Sequence, residues 1–311
     1  MAQAALSLQN INKSFGEKRA VIGLSLEVPE GRVFGLLGPN GAGKSTSIRM
    51  ALNIYIPDSG KVLVFGQPHG PATPNRIGYL PEERGLYTKM KVVDLLIYLA
   101  AIKGVTAAEA KPRIDRWLER VELTSVKEKK VQELSKGMQQ KIQFIATILH
   151  QPDLIILDEP FSGLDPINTN LLKDFIVELR EQGRTIIFST HIMEQAERLC
   201  DSICLINSGR KVLEGTVSEV KGRYGRNTVA LAFDGDGSFL RGHRLIRTTN
   251  NYNTYVEVRL AEGADPQDLL TDIASRVRVR RFEVIEPSLH EIFIERVKET
   301  NEMPAETVAH G

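Results

Sequence analysis

Short unbroken apolar runs alternate along the chain with stretches in which apolar residues return at helical spacing. Val33-Phe34-Gly35-Leu36-Leu37, Leu154-Ile155-Ile156-Leu157, the stretch from Thr185 to Ser189 and the run from Ile203 to Ile206 read as buried strands; a strand with one wet face would alternate instead. Val92, Leu95, Leu96 and Leu99, then Ile114, Trp117, Leu118 and Val121, are spaced for helices and broken at Lys103-Gly104, which predicts a helical insert. A further helix opens at Ser135, placed as its N-cap, with Ile142, Ile145 and Ile148 on its apolar face. Ahead of the first buried run, Leu6, Leu8 and Ile11, then Val21, Leu24, Leu26 and Val28, flank the turn-like Phe15-Gly16-Glu17-Lys18 and predict an antiparallel ribbon. Pro57-Asp58-Ser59-Gly60 is a turn before a strand over residues 61–65, and Ile77-Gly78-Tyr79-Leu80 is a short strand stopped by Pro81. Past Gly215 the pattern changes: strands near residues 228–233, 252–260 and 279–285, and helices near 266–277 and 289–297, predict a small α+β unit of ββαβα order. Ser288 and Glu291 form a capping box for its last helix. The chain thus reads as α/β, with one domain over residues 1–222 containing a helical insert at about 85–150, an α+β domain over 226–298, and a disordered polar tail over 299–311.

The turn after the first buried strand carries the clearest chemistry. Gly38-Pro39-Asn40-Gly41-Ala42-Gly43-Lys44-Ser45-Thr46 matches a phosphate-binding loop in full, between a strand and a helix-compatible segment over residues 47–54. Its glycines let backbone N–H groups wrap a phosphate at a helix N-terminus. Lys44 is placed to reach β- and γ-phosphate oxygens, and the Ser45 hydroxyl to hold Mg²⁺. The strand ending at Leu157 runs into Asp158-Glu159: Asp158 can hold Mg²⁺ through water, and Glu159 can orient and deprotonate an attacking water. Ser162-Gly163-Leu164-Asp165 follows, and the strand ending at Ser189 runs into Thr190-His191, where His191 can touch the γ-phosphate.

Bulk properties narrow the class. The 40 basic and 39 acidic side chains in 311 residues nearly cancel, which argues against a nucleic-acid binder. No apolar run approaches the roughly 20 residues that a spanning helix needs, and no signal sequence opens the chain, so it reads as soluble and cytosolic. The two cysteines, Cys200 and Cys204, lack a second pair to complete a metal site and read as small buried side chains. The clusters Lys127-Glu128-Lys129-Lys130 and Arg278, Arg280 and Arg281 read as solvated surface.

Over roughly residues 3–220 these motifs, in this order, resemble the ATP-binding subunit of ABC transporters: the phosphate loop (Gly38 to Thr46), a signature segment (Leu134 to Gln140), the acidic strand end (Leu154 to Glu159), the loop Ser162 to Asp165 and the switch His191. The resemblance implies an ABC cassette, with a P-loop NTPase core of RecA-like type, an antiparallel ribbon and a helical subdomain. It implies ATP and Mg²⁺ as cofactors. ATP would be bound by Phe15, stacked on adenine, by Gly38, Asn40, Gly41, Ala42, Gly43, Lys44, Ser45 and Thr46, and by Asp165. Ser45, Glu82 and Asp158 would be the metal residues, and Glu159, His191 and Lys44 the catalytic ones. It also implies a head-to-tail dimer with a second cassette, a homodimer in the simplest case, in which Ser135 and Gly137 contact the γ-phosphate of a nucleotide held by the partner. A separate integral-membrane permease would select the substrate and dock near Tyr79, Leu86, Tyr87 and Met90, placing the chain at the cytoplasmic face of the cell membrane. Two positions depart from the family pattern: Glu82 replaces a glutamine, and the signature reads Leu-Ser-Lys136-Gly-Met138 in place of Leu-Ser-Gly-Gly-Gln. The C-terminal domain, ending in Glu286 to Phe293, resembles the accessory domain of sodium-extrusion and ABC-2 exporter ATPases, which implies export of sodium or of another small solute or drug. The competing expectations are a soluble ABC ATPase acting on the ribosome or DNA, and a regulatory nucleotide binder.

Overall fold

The computed structural model describes residues 4–83, 85–223, 228–285 and 287–302, with side chains described as far as residue 297. The chain divides into two compact units, residues 1–215 and 216–311. The first opens with strands β1 (Ala4–Phe15), β2 (Lys18–Pro29), β3 (Val33–Leu37) and β4 (Ser59–Val64), with helix α1 (Lys44–Ala51) after β3. β1 pairs antiparallel with β2 on one side and β4 on the other, forming the expected ribbon. Then come α2 (Thr73–Arg76), β5 (Ile77–Leu80), α3 (Val92–Ile102), α4 (Ala107–Arg120), α5 (Lys136–Ile148), β6 (Leu154–Asp158), α6 (Pro166–Glu181), β7 (Thr185–Thr190), α7 (Met193–Leu199), β8 (Ser202–Asn207) and β9 (Arg210–Thr216).

A six-stranded sheet runs β5-β6-β7-β3-β8-β9 and is parallel from β5 to β8. Every residue of β3, β6 and β7 is buried, which is why their sequences are continuous apolar runs. Ribbon and sheet close over α1, where Leu8, Leu26, Phe34, Ile48, Met50 and Ile156 share one core. Register then decides where chemistry can occur. Leu37 pairs with Thr190 and Asp158 with Ser189, so the polar turns after β3, β6 and β7 leave the sheet side by side. This carboxyl edge is where open α/β sheets receive ligands.

Three buried polar side chains tie α5 to β5 and to the loops after β5 and β6. Gln140 Nε2 donates to the Pro160 carbonyl at 2.7 Å, Gln143 Nε2 to that of Glu83 at 3.3 Å, and Thr147 Oγ1 to that of Tyr79 at 3.3 Å. Trp117, Phe144 and Phe175, from α4, α5 and α6, pack with ring centroids 5.1 to 6.4 Å apart and fix the helical insert on the sheet. Cys204 is buried, and burial pushes both thiols well above their usual range, in keeping with apolar packing.

Several elements differ from the expectation. α1 starts at Lys44 rather than at residue 47, because Gly43, at φ 107°, turns the chain directly into the helix. Of the residues expected at a docking surface, Tyr79 packs against the core, whereas Tyr87 is exposed and meets Tyr98 edge to face at 5.6 Å. Arg84, in the same stretch, lies outside the described residues.

The second unit comprises α8 (Val217–Arg223), β10 (Thr228–Asp234), β11 (Ile246–Asn251), β12 (Val256–Leu260), α9 (Pro266–Ala274), β13 (Arg278–Ile285) and α10 (Leu289–Glu302). Its sheet has four strands in the order β11-β12-β10-β13, one more than the expected ββαβα order. The added strand reads Ile-Arg-Thr-Thr-Asn-Asn and sits at the sheet edge, so it carries no hydrophobic period to detect. Val229, Leu231, Val258, Leu260, Leu269 and Ile273 form the core. α8, read from sequence as the end of the first domain, falls in this unit. α10 begins with the expected capping box, Glu291 N–H donating to Ser288 Oγ at 3.2 Å and Ser288 N–H to Glu291 Oε2 at 2.9 Å. It continues to Glu302, so the start of the expected disordered tail is helical, since no glycine or proline stands in its way. Residues 303–311 and Glu286 lie outside the described residues. Arg280 pairs with Asp234 and Arg281 with Glu283 on an exposed strand face.

Inside this unit Glu257 lies 9 % exposed beside Glu291, accepting from the Tyr252 hydroxyl at 3.3 Å. Burial first, then the hydrogen bond with Glu291, pushes its carboxyl from an ordinary 4.5 up to about 7. The fold therefore favours the protonated form. The associated stability is whole below the unfolded value and is lost as pH rises through the folded one. Calorimetric unfolding of the full chain should show the C-terminal transition losing on the order of 1–3 kcal/mol between about pH 5 and 8. Glu257→Gln should remove most of that slope, and an unchanged slope in the variant would contradict this assignment.

Candidate active site

The loop after β3 is built so that only hydrogen fits at two of its glycines. A Cβ on Gly38, at φ 152°, would stand 2.2 Å from the Ile206 carbonyl oxygen, and one on Gly43 2.5 Å from that of Ala20. The loop thus presses its backbone against β8 and β2, leaving its concave side open. Lys44, the first residue of α1, is buried to 6 % exposure. Its ammonium donates to the Gly38 carbonyl at 2.8 Å and the Pro39 carbonyl at 3.2 Å, and stands 3.3 Å from Glu159 Oε1. That last contact is one of charge without hydrogen-bond geometry, since Glu159 Oε1 has no hydrogen-bond partner.

Asp158 ends β6 at 1 % exposure. Its Oδ1 accepts from Ser189 Oγ at 2.5 Å and from Ser45 Oγ at 3.2 Å, while Oδ2 is buried with no hydrogen-bond partner. The Ser45 hydroxyl against a carboxylate whose other oxygen is unpartnered is a hard-oxygen donor set that suits Mg²⁺, whose remaining ligands would come from phosphate and water. Glu159, at φ 48°, lies in the left-handed region. That conformation costs a non-glycine residue roughly 1 kcal/mol or more, and here it turns the carboxylate back over the loop. Its N–H donates to Ser189 Oγ at 3.0 Å, and its Oε2 lies 3.1 Å from His191 Nδ1. Beside these groups lies a cleft of about 260 Å³ lined by Lys18, Asn40, Lys44, Ser45, Glu82 and Glu159 among others.

The fold therefore brings together the loop Gly38 to Thr46, Glu82, Asp158, Glu159 and His191. Phe15 is only adjacent to them. It sits at the ribbon tip, 45 % exposed, edge to face with Tyr55 at 5.3 Å, and pairs across the hairpin with the cleft residue Lys18. Ser135, Gly137 and Asp165 are elsewhere, in a separate exposed patch. Ser135 Oγ caps α5 by accepting from Met138 N–H at 3.3 Å, and Asp165 caps α6 by accepting from the N–H groups of Ile167 and Asn168 at 3.0 Å each. The Asn168 hydrogen bonds hold the Asp165 carboxyl below its usual range. A Cβ on Gly137 would lie 3.7 Å from Asn168 Nδ2, so the two helix starts are neighbours. Sequence reasoning missed Ser189 and Lys18. A serine after the buried apolar run Ile186-Ile187-Phe188, two positions before the switch His191, was the available signal for the first.

Ser189 is the hinge between the two acids, donating to one and accepting from the backbone of the other. Removing its hydroxyl leaves a buried N–H unpaired, at a cost of about 1–3 kcal/mol. Ser189→Ala should lower nucleotide turnover by roughly tenfold or more while leaving nucleotide affinity within a few-fold. Steady-state kinetics with a separate binding titration check this, and an unchanged kcat would contradict it.

The chain has recognised relatives over most of its length. Residues 21–162 match the ABC transporter family model, and residues 215–297 match that of the C-terminal domain of DrrA1-3-like ATP-binding proteins. An uncharacterised ABC transporter ATP-binding protein of Bacillus subtilis (strain 168) is 46 % identical over 292 residues, covering 94 % of this chain and 98 % of that protein. The Nod factor export ATP-binding protein I of Rhizobium sp. (strain N33) is 35 % identical over 301 residues, covering 94 % of this chain and 97 % of its own. Among solved structures, an ATP-binding subunit of an ABC transporter superposes with a TM-score of 0.66 at 31 % identity, over 71 % of this chain and 93 % of that one. A phosphate loop with its two acids at one sheet edge, followed by a DrrA-like domain, thus places the chain in the family of ABC transporter ATP-binding subunits, as an ATP-binding ATPase.

Proposed function

We propose that the chain is the ATP-hydrolysing subunit of an exporter, acting as a head-to-tail homodimer on a separate permease at the cytoplasmic face of the cell membrane. The observation that carries the hydrolytic part is the Glu159 carboxylate, with one oxygen held by His191 and the other, buried and without a hydrogen bond, beside Lys44. ATP phosphates entering the cleft offer the Lys44 ammonium oxygens in place of the Gly38 and Pro39 carbonyls. Ser45 and Asp158 would hold Mg²⁺, which would supply positive charge to offset that developing on the phosphates. Glu159 Oε1 orients the attacking water and takes its proton, a contribution of about 10²- to 10⁴-fold in rate. His191 keeps the carboxylate turned towards the γ-phosphate, Glu82 lies on the cleft wall where it can bind a metal-bound water, and Phe15 offers its exposed ring to adenine.

The exposed patch of Ser135, Gly137 and Asp165 supports dimerisation. A helix start with hydroxyl, backbone N–H groups and positive dipole suits a γ-phosphate, and this chain's own phosphate loop does not use it. Lys136 adds a cation where the usual signature has glycine, and in this reading it adds to the hold on ATP across the interface. For the permease, the exposed pair Tyr87 and Tyr98, with Ile102 nearby in α3 at 57 % exposure, offers an aromatic surface for an apolar helix. No described helix is long and apolar enough to cross a membrane, so in this reading another chain does so. The relative named for Nod factor export supports export. Neither sodium as cargo nor a soluble partner such as the ribosome finds support among the relatives.

Glu159→Gln should lower kcat by about 10²-fold or more and leave a dimer that persists in ATP-Mg²⁺ and falls apart in ADP, read by light scattering after size exclusion. A variant that stays monomeric in saturating ATP-Mg²⁺ would overturn the shared-site reading. Gentle solubilisation of membranes carrying the tagged chain should bring down a polytopic protein in near-equal amount, and its absence would overturn the transport coupling alone.

A further inference from the structure

A second cleft, of about 120 Å³, opens at the amino edge of β6 and β7, where α4 and the ends of α5 and α6 meet. It lies at the edge of the sheet opposite the phosphate loop, and the hydrolytic machinery does not use it. Four arginines line it, Arg113, Arg116, Arg120 and Arg184, against one carboxylate, Glu178. Two of the four are neutralised. Arg120 makes a two-pronged pair with Glu178 and lies over the Trp117 ring at 4.4 Å. Arg184 meets Asp153 at 3.1 Å, a carboxylate that also takes Arg76 at 2.7 Å.

The other two are not. Arg113 donates to the Leu149 carbonyl at 3.1 Å, a neutral acceptor at the end of α5. Arg116, one helical turn away on α4, has no hydrogen-bond or carboxylate partner among the described residues. The negative end of α5 explains Arg113. It explains neither Arg116 nor the open space that all four side chains border. Like charges are gathered round a cavity at a cost unless an anion is there to offset it, and guanidinium forks match phosphate oxygens in pairs. A space of this size admits one phosphate group and little attached to it.

We propose that this cleft binds a compact soluble phosphate, inorganic phosphate or a small phosphate ester, through Arg113 and Arg116 of α4, with Arg184, just before β7, adding the N–H donors that its contact with Asp153 leaves over. Because α4 belongs to the helical insert and Arg184 leads into the sheet, the bound anion clips one to the other. The site would thus let a phosphate level in solution set how firmly the insert is held, independently of the nucleotide at the phosphate loop.

The test is a thermal titration of the full chain with inorganic phosphate, with ADP-Mg²⁺ saturating the phosphate loop and ionic strength held constant with chloride. The wild-type chain should show a saturable rise in melting temperature. Arg116→Gln should weaken the apparent affinity by about tenfold, and Arg113→Gln combined with it should abolish the response, with ADP affinity unchanged in both. Arg113 also holds a helix end, so the single exposed variant Arg116→Gln decides the matter if the double variant does not fold. A rise of equal size and midpoint in wild type and Arg116→Gln, as a general salt effect would give, overturns the proposal, and so does a wild-type chain that shows no saturable response.

Discussion

Taking an ammonium group out of water costs several kcal/mol unless its donors and its charge are both met, and Lys44 shows how the first unit meets them. Two loop carbonyls take its protons and a carboxylate beside it offsets its charge. That carboxylate belongs to a residue held in the left-handed region, whose N–H is fixed by Ser189 on the neighbouring strand. The arrangement exists only because β3, β6 and β7 are in parallel register, with Leu37 beside Thr190 and Asp158 beside Ser189. A shift of one residue in either pairing would move both acids away from the loop and leave the lysine uncompensated.

The same logic separates what one chain completes from what it leaves open. Ser45 meets Asp158, and Lys44 and His191 meet Glu159, within the fold, so in the proposed mechanism the loop half of the site is assembled by one chain. Ser135 and Gly137 face solvent or nearly so, with helix-start donors that this subunit's own cleft does not use. Gln140 and Gln143, further along α5, reach the carbonyls of Pro160 and Glu83. A nucleotide clamped by a second subunit would therefore pull on a helix already tied to the turn after the acids and to the loop beyond β5, which is also the approach to the exposed Tyr87 and Tyr98. Mechanical coupling between hydrolysis and a docked partner can follow that line of hydrogen bonds.

The buried strands of the first unit were legible because parallel strands covered on both faces need continuous apolar runs, and the phosphate loop because its glycines and lysine have no packing alternative. What escaped reading has a common cause. β11 is an edge strand that after Ile246 holds only arginine, threonine and asparagine, which hydrophobic periodicity cannot register. Ser189 acts across two strands, and a hydroxyl in an apolar run has no linear signature until register is known. Tyr79 was expected at a docking surface from the family resemblance alone, yet it packs on the core. The arginines of the second cleft come from positions 113 to 184, and only the packing of α4, α5 and α6 gathers them.

The central claim, that each ATP is gripped by the loop of one subunit and the signature of another, is tested most directly by mixing two inactive variants. Lys44→Ala lacks a working loop and Ser135→Arg lacks a working signature, and neither should hydrolyse ATP alone. Mixed, they can form a dimer in which the intact loop of one faces the intact signature of the other. The account predicts that ATPase activity returns on mixing and rises with the concentration of either partner. A mixture that binds ATP and stays as inactive as its components would contradict it.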